Sequence, residues 1–192
     1  MSTTIKDADT GYVAHVTTDG ELLTRSVTES EEIAANEKGN AYNINTGVIT
    51  LTDANETSVM YLKNNENDNL VISGIVLGLW ASDGDGLDMM TTFTRNPTTG
   101  DIITNENNVA INSNRNFGSG NSLLADAYVG ASSETKTNGS DHILVRITEE
   151  SRSFIGINEI LPKGSSMGIN VTPPTSNTSM NMYAAVICHL EN

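Results

Sequence analysis

With 192 residues the chain has room for one sizeable core, or for one domain plus an arm, and too little for two full enzyme domains. Its 10 Lys and Arg against 24 Asp and Glu leave a formal charge of -14, which excludes a phosphate-neutralising surface, so DNA, RNA and anionic membranes would be repelled. The single cysteine, Cys188, excludes an internal disulfide framework and a thiolate zinc cluster, while 37% hydrophobic residues in short, regularly spaced runs indicate a chain that folds.

The opening segment MSTTIKDADTG lacks the basic n-region and apolar stretch of a secretion signal, so synthesis and residence in a cytoplasm are expected. YVAHVTTDGELLTRSV predicts a small hairpin around Asp19 and Gly20. TESEEIAANEKGN predicts one short helix, with Thr28 and Glu31 at capping-box spacing and Gly39 as its stop. Residues 1–40 therefore read as an arm. It is too small to bury its own apolar side chains, so Tyr12, Val13, Leu22, Leu23 and Val27 are the expected partner contacts.

From Ala41 onward the pattern acquires the two-residue period of half-buried strands, because alternate side chains point to opposite faces of a sheet. GVITLT, HILVRIT and MGINVTP alternate in this way, and MNMYAAVICHL sets Met180, Met182, Ala184, Val186, Cys188 and Leu190 on one face. LVISGIVLGLW is apolar on both faces and predicts a central strand covered on each side. Turn signals separate the runs at 64–69, 96–101, 137–141, 161–166 and 172–179, where proline presets one turn angle and glycine or asparagine accepts the positive one. Eight to ten strands at this spacing predict an all-β domain over 41–192: an antiparallel two-sheet sandwich with jelly-roll connections, preceded by the helix-bearing arm.

Sites of known chemistry were sought in the same residues. SDGDGLD carries Asp83, Asp85 and Asp88 among glycines, as calcium loops do, but lacks the full EF-hand spacing and its bidentate glutamate; a tight strand reversal at Gly84 and Gly86, with the aspartates keeping its tip wet, explains it better. His15, His142 and His189 have no partner at zinc-helix spacing and are expected to pack or cap. No serine lies in a nucleophile elbow, and GSGNSLLAD and PKGSSMG lack the spacing of a phosphate loop and read as turns. Cys188 reads as a small buried apolar residue. No catalytic, metal or cofactor residues are assigned.

Three stretches carry a resemblance: KGNAYNINTGVITLTDANETSVMYLKNNENDNLVISGI, then RNPTTGDII with NRNFGSGNSL, then LPKGSSMGINVTPPTSNTSMNMYAAVICHL. Together they cover most of residues 36–190 and resemble a group of tailed-bacteriophage virion proteins; VAHVTTDGELLTRSVTESEE extends the likeness into the arm. The resemblance implies a non-enzymatic structural role, most like a capsid decoration (cement) protein. It also implies a homotrimer bound to the major capsid protein on the virion surface, made in the host cytoplasm. The segment corresponding to SDGDGLD looks like a variable glycine-rich loop, which favours the bend over the metal site. A fibre, neck or baseplate module binding host glycan is the alternative, and an enzyme of the particle such as a cell-wall hydrolase is a third class.

Overall fold

A computed structural model gives the fold and describes residues 15–16, 22–23, 30–52, 55–81, 88–104, 109–135, 138–148, 152–174 and 179–191. The chain divides into two compact units, Met1–Ser30 and Glu31–Asn192. In the first, β1 (His15–Val16) and β2 (Leu22–Leu23) pair antiparallel, with His15 opposite Leu23 and Val16 opposite Leu22. That pairing is the one a hairpin about Asp19 and Gly20 requires. Asp19, Gly20, Tyr12, Val13 and Val27 lie outside the described residues.

The second unit opens with α1 (Glu31–Glu37), so Ser30, rather than Thr28, precedes the first helical residue. Its end follows from Gly39: at φ 75° this residue donates to the Asn36 carbonyl at 3.0 Å, and Asn40 donates to the Ala35 carbonyl at 2.7 Å. The two bonds form a Schellman motif, which satisfies orphan carbonyls and needs a residue free to adopt a left-handed conformation. Expected as part of the arm, the helix instead belongs to the larger unit, where Ala35 is fully buried and Glu32 pairs with Arg115.

The strands follow in order: β3 (Ala41–Asn45), β4 (Ile49–Leu51), β5 (Thr57–Asn64), β6 (Leu70–Ala81), β7 (Asp88–Arg95), β8 (Ile111–Asn114), β9 (Ala125–Val129), β10 (Ser140–Thr148), β11 (Arg152–Leu161), β12 (Ser166–Thr172) and β13 (Met180–Leu190). One short helix, α2 (Asp101–Thr104), follows β7. Two antiparallel sheets result, ordered β10-β7-β12-β5-β9 and β11-β6-β13-β3-β8, with β4 also paired to β13. Set aside β4, β8 and β9, and the remaining eight strands pair first with last: β3 with β13, β5 with β12, β6 with β11, and β7 with β10. A long hairpin rolled so that successive strands fall in opposite sheets gives this order, which is a jelly roll.

The two-residue period decides what lies between the sheets. Along β13 every second residue from Met180 to Val186 is buried, and the alternates are half-buried on the outer face. Leu62, Ile75, Leu77, Ile169 and Val186 meet at the centre with no exposed surface. Each such side chain contributes about 1.5–3 kcal/mol by leaving water, so this layer is the main source of stability.

The two outer faces differ. On the five-stranded sheet, Ser58 Oγ donates to Asn170 Oδ1 at 2.6 Å, Asn170 Nδ2 donates to Thr94 Oγ1 at 3.3 Å, and Thr94 Oγ1 donates to Asp141 Oδ1 at 2.9 Å. This polar chain crosses β5, β12, β7 and β10, and its three inner members are almost fully buried. On the other sheet the outward residues of β6 are apolar, in keeping with the sequence of that strand. On this side Val71 and Trp80 are half-buried and Val76 is buried, and the rings of Phe154 and Tyr183 lie against the two glycines of the strand, Gly74 and Gly78. The expected cover is thus complete on the inner side and partial on the outer one.

Candidate functional site

Two features of the sandwich could engage another molecule. The first is a cleft of about 420 Å³ between the open edges of the two sheets, where β7 and β10 face β11. Phe93, Ile143, Ile157, Leu161 and Met167 make it apolar inside. Its mouth is polar for a local reason. A register shift between Asp141 and Ile143 makes His142 the extra residue of a β-bulge, and a bulge re-aims the side chain it carries. His142 thereby leaves the outer face and meets Glu159 of the opposite sheet, Nε2 to Oε1 at 2.6 Å, while Arg95 Nη2 donates to Glu159 Oε2 at 2.8 Å.

The two nitrogens lie 2.9 Å apart, each directed at a different oxygen of one carboxylate. Burial alone would raise the Glu159 pKa; the hydrogen bonds and charges of His142 and Arg95 outweigh it and hold the carboxyl below its ordinary value. With both oxygens engaged, Glu159 serves as a clamp across the two sheets. Ser166, also on the cleft wall, donates its hydroxyl to the Pro97 carbonyl at 3.2 Å.

The second feature is the outer face of the six-stranded sheet. Gly74 and Gly78 leave hollows in β6, and rings from the flanking strands fill them: a Cβ on Gly74 would lie 2.6 Å from Phe154 Cε2, and one on Gly78 would lie 2.0 Å from Tyr183 Cε1. Trp80 completes the row, its ring centroid 6.2 Å from that of Tyr183. The result is an aromatic and apolar surface on which Phe154 is 64% exposed and Ile160 is 53% exposed. The sequence names Trp80 and Tyr183 as aromatics without showing that they gather; the in-register pairing of β6, β11 and β13 brings them together.

The remaining residues singled out in the sequence fall as follows. Asp88 opens β7 and pairs with Arg146 of β10, and Asp83 and Asp85 lie outside the described residues. His189 is buried, with Nδ1 3.2 Å from Ser73 Oγ, as expected of a sheet histidine. Cys188 is fully buried, its Sγ 3.7 Å from the Tyr42 carbonyl, and desolvation pushes its thiol up to about 12. Leu22 and Leu23 form β2 of the small unit. The signals for the cleft are present in the sequence, in Arg95, His142 and Glu159, but their separation along the chain hides that they converge.

By strand order and layering, the larger unit is an all-β jelly-roll sandwich. No protein-family model matches the sequence, and no curated protein matches it. Among solved structures, the crystal structure of the T13 IBDV viral particle is similar over 78% of this chain and 31% of its own, at 13% identity and a TM-score of 0.33. The structure of the infectious bursal disease virus Gx strain is similar over 80% of this chain and 30% of its own, at 11% identity and a TM-score of 0.29. The chain spans about a third of the length of those it matches, and a likeness this distant decides nothing about function.

Proposed function

We propose that this chain is a non-enzymatic structural protein of a phage virion, a capsid decoration (cement) protein that binds the outside of the head and bridges subunits of the major capsid protein. The observation that carries the reading is the strand order. A jelly roll is a self-sufficient scaffold used for shell and lectin domains alike, so the sequence resemblance over residues 36–190 is what tips it toward the shell. The physical action is linkage. A protein that binds only the assembled shell raises the free energy needed to separate its subunits, and repetition of the contact, as in a trimer, compensates for a weak single one. Residues 1–30, with the paired strands β1 and β2, are the proposed shell contact, because a two-residue hairpin is not stable alone and gains order on a partner surface.

The test is to mix the purified chain with heads that lack it. Saturable binding together with a higher temperature of capsid disruption is expected, and a chain lacking residues 1–30 should fold but bind poorly. Heads that neither bind the intact chain nor gain stability would sink the reading.

One observation favours the alternative, a fibre, neck or baseplate module that binds host glycan. Trp80 and Tyr183 present aromatic surface beside Asn181, which accepts a hydrogen bond from Thr50 at 2.8 Å, a mixture of ring faces and amide groups that suits a neutral sugar. Binding on a glycan array that is lost in Trp80→Ala would move the assignment there.

A further inference from the structure

The stretch NRNFGSGN, at the end of β8, sets one aromatic residue in a run of asparagine, glycine and serine. Such a run suits a pliant turn, but here its amides hold it to α1. Asn114 Nδ2 donates to the Gly39 carbonyl at 2.7 Å, and Asn116 Nδ2 donates to the carbonyls of Asn36 at 3.0 Å and Glu37 at 3.1 Å. Asn121 Nδ2 donates to the Lys38 carbonyl at 3.3 Å. The loop thus satisfies carbonyls that the C-terminal end of a helix leaves unpaired. Ser119 closes on Gly39 so tightly that a Cβ there would lie 2.1 Å from Ser119 Oγ, and Gly118 donates to Asn116 Oδ1 at 3.0 Å. Pinned in this way, the loop carries Phe117 fully exposed. Lone apolar side chains on a surface are ordinary. A ring held in water by a fixed backbone is also a preorganised anchor, because that backbone has little freedom left to lose on binding.

We infer that Phe117 of one copy seats in the cleft between β7, β10 and β11 of a second copy. Size permits it: an apolar cavity of about 150 Å³ holds a benzene ring, and the cleft, walled by Phe93, Ile143 and Ile157, has about 420 Å³. Position requires a second copy rather than the same one. The cleft lies where β10 and β11 edge their sheets, and the loop follows β8 at the opposite edge of the six-stranded sheet. Four strand spacings, roughly 20 Å, separate the two edges, so a pinned loop cannot reach its own cleft. Anchor and socket on opposite edges give a head-to-tail contact, which closes into a ring or runs on as a chain according to the rotation between copies. Charge agrees. Two chains that each carry -14 repel where carboxylates meet. The only carboxylate among the residues lining the cleft is Glu159, already engaged by Arg95 and His142, and the stretch from Asn114 to Asn121 has none. Behind the anchor the balance is negative, with Glu31, Glu32 and Glu37 of α1 against Lys38 and Arg115, whereas the mouth sets Arg95 and His142 against one carboxylate.

The inference does not rest on the virion reading, since it concerns the isolated chain. It is tested by sedimentation equilibrium of the full-length protein over a concentration series, beside three variants. Phe117→Asp removes the anchor, and Ile157→Trp fills the cleft with a ring of its own. Val48→Asp is the control: Val48 is 64% exposed next to β4, which pairs with the end of β13 away from the loop and the cleft. Concentration-dependent association of the natural sequence is expected, weakened at least about tenfold in the first two variants and unchanged in the third. Each of the first two keeps the half that the other lacks, so an equimolar mixture of them should form pairs that neither forms alone. Circular dichroism should show the variants folded, and Phe117→Asp, at a fully exposed position, decides the matter even if Ile157→Trp does not fold. A natural sequence that stays monomeric throughout, a Phe117→Asp protein that associates as strongly as it, or a mixture of folded variants that stays unpaired overturns the inference. So does a monomer whose melting temperature falls on Phe117→Asp, because its own chain then covers the ring. A small apolar molecule that mass spectrometry finds on the purified natural protein and not on Ile157→Trp would give the cleft to a ligand and overturn it as well.

Discussion

Gly130 packs against the backbone of Ser58 so closely that a Cβ on it would lie 1.8 Å from the Ser58 carbonyl oxygen. The contact joins the end of β9 to the start of β5, where Gly130 also donates to the Val59 carbonyl at 3.1 Å. Backbone cannot swing aside as a side chain can. Gly130→Ala should therefore destabilise the fold by about 1–3 kcal/mol, the usual cost of overpacking. Gly156→Ala, where the nearest atom is Phe154 Cε1 at 3.7 Å, should leave stability nearly unchanged. Urea unfolding midpoints of the two variants check the contrast.

Asn170 links Ser58 to Thr94 across three strands. Asn170→Leu leaves the buried Ser58 hydroxyl without its partner, while Thr94 keeps its bond to Asp141. A loss of about 1–3 kcal/mol is expected from the stranded Ser58 hydroxyl. The double variant in which Ser58→Ala accompanies Asn170→Leu should recover part of that loss, which a thermal melt series would show.

Acid should act on the cleft through Glu159. Its pKa is lowered on folding, so the stabilisation it brings is fully present above the ordinary carboxylate range and is lost as pH falls through the depressed folded value. Glu159→Gln should lower the melting temperature at neutral pH, with the difference from the natural sequence shrinking on acidification. A difference that stays constant from neutral pH into strong acid would refute the clamp.

Cys188 should be silent in the native state. Its thiol, pushed up to about 12 by complete burial, carries almost no thiolate at neutral pH and offers no path to a reagent. Reaction with a thiol-specific disulfide reagent is expected only in denaturant, with one equivalent consumed per chain. Prompt labelling of the native protein would show that this part of the core opens.

Much of the architecture was legible in advance, because burial of one sheet face imposes a two-residue period that composition cannot disguise. MNMYAAVICHL is β13 with the alternation that the sequence displays, and MGINVTP falls on β12, which is buried on both faces from Ser166 to Val171. The turn at 161–166 separates β11 from β12 as expected, whereas Ser140 and Asp141 of the one expected at 137–141 already belong to β10. Less legible were β5 and β7, since TSVMYLKN and DMMTTFTR hide a simple alternation: the first is buried on both faces, and the second puts Thr91 on the buried face with Met89 and Phe93 and buries Thr94 as well. The candidate sites were hidden for another reason. Arg95, His142 and Glu159 lie far apart in the chain, and only the register shift at His142 turns its ring toward the other sheet.

The amino-acid sequence alone determined the class of fold, the absence of covalent cross-links within the chain, and the strong negative charge, because each is a property of composition or of local periodicity. Tertiary structure decided which strands became neighbours. That choice gathered Phe154, Tyr183 and Trp80 on one face and drew the carboxylate of Glu159 inward, since pairing between distant strands depends on how the whole hairpin rolls and leaves no local trace.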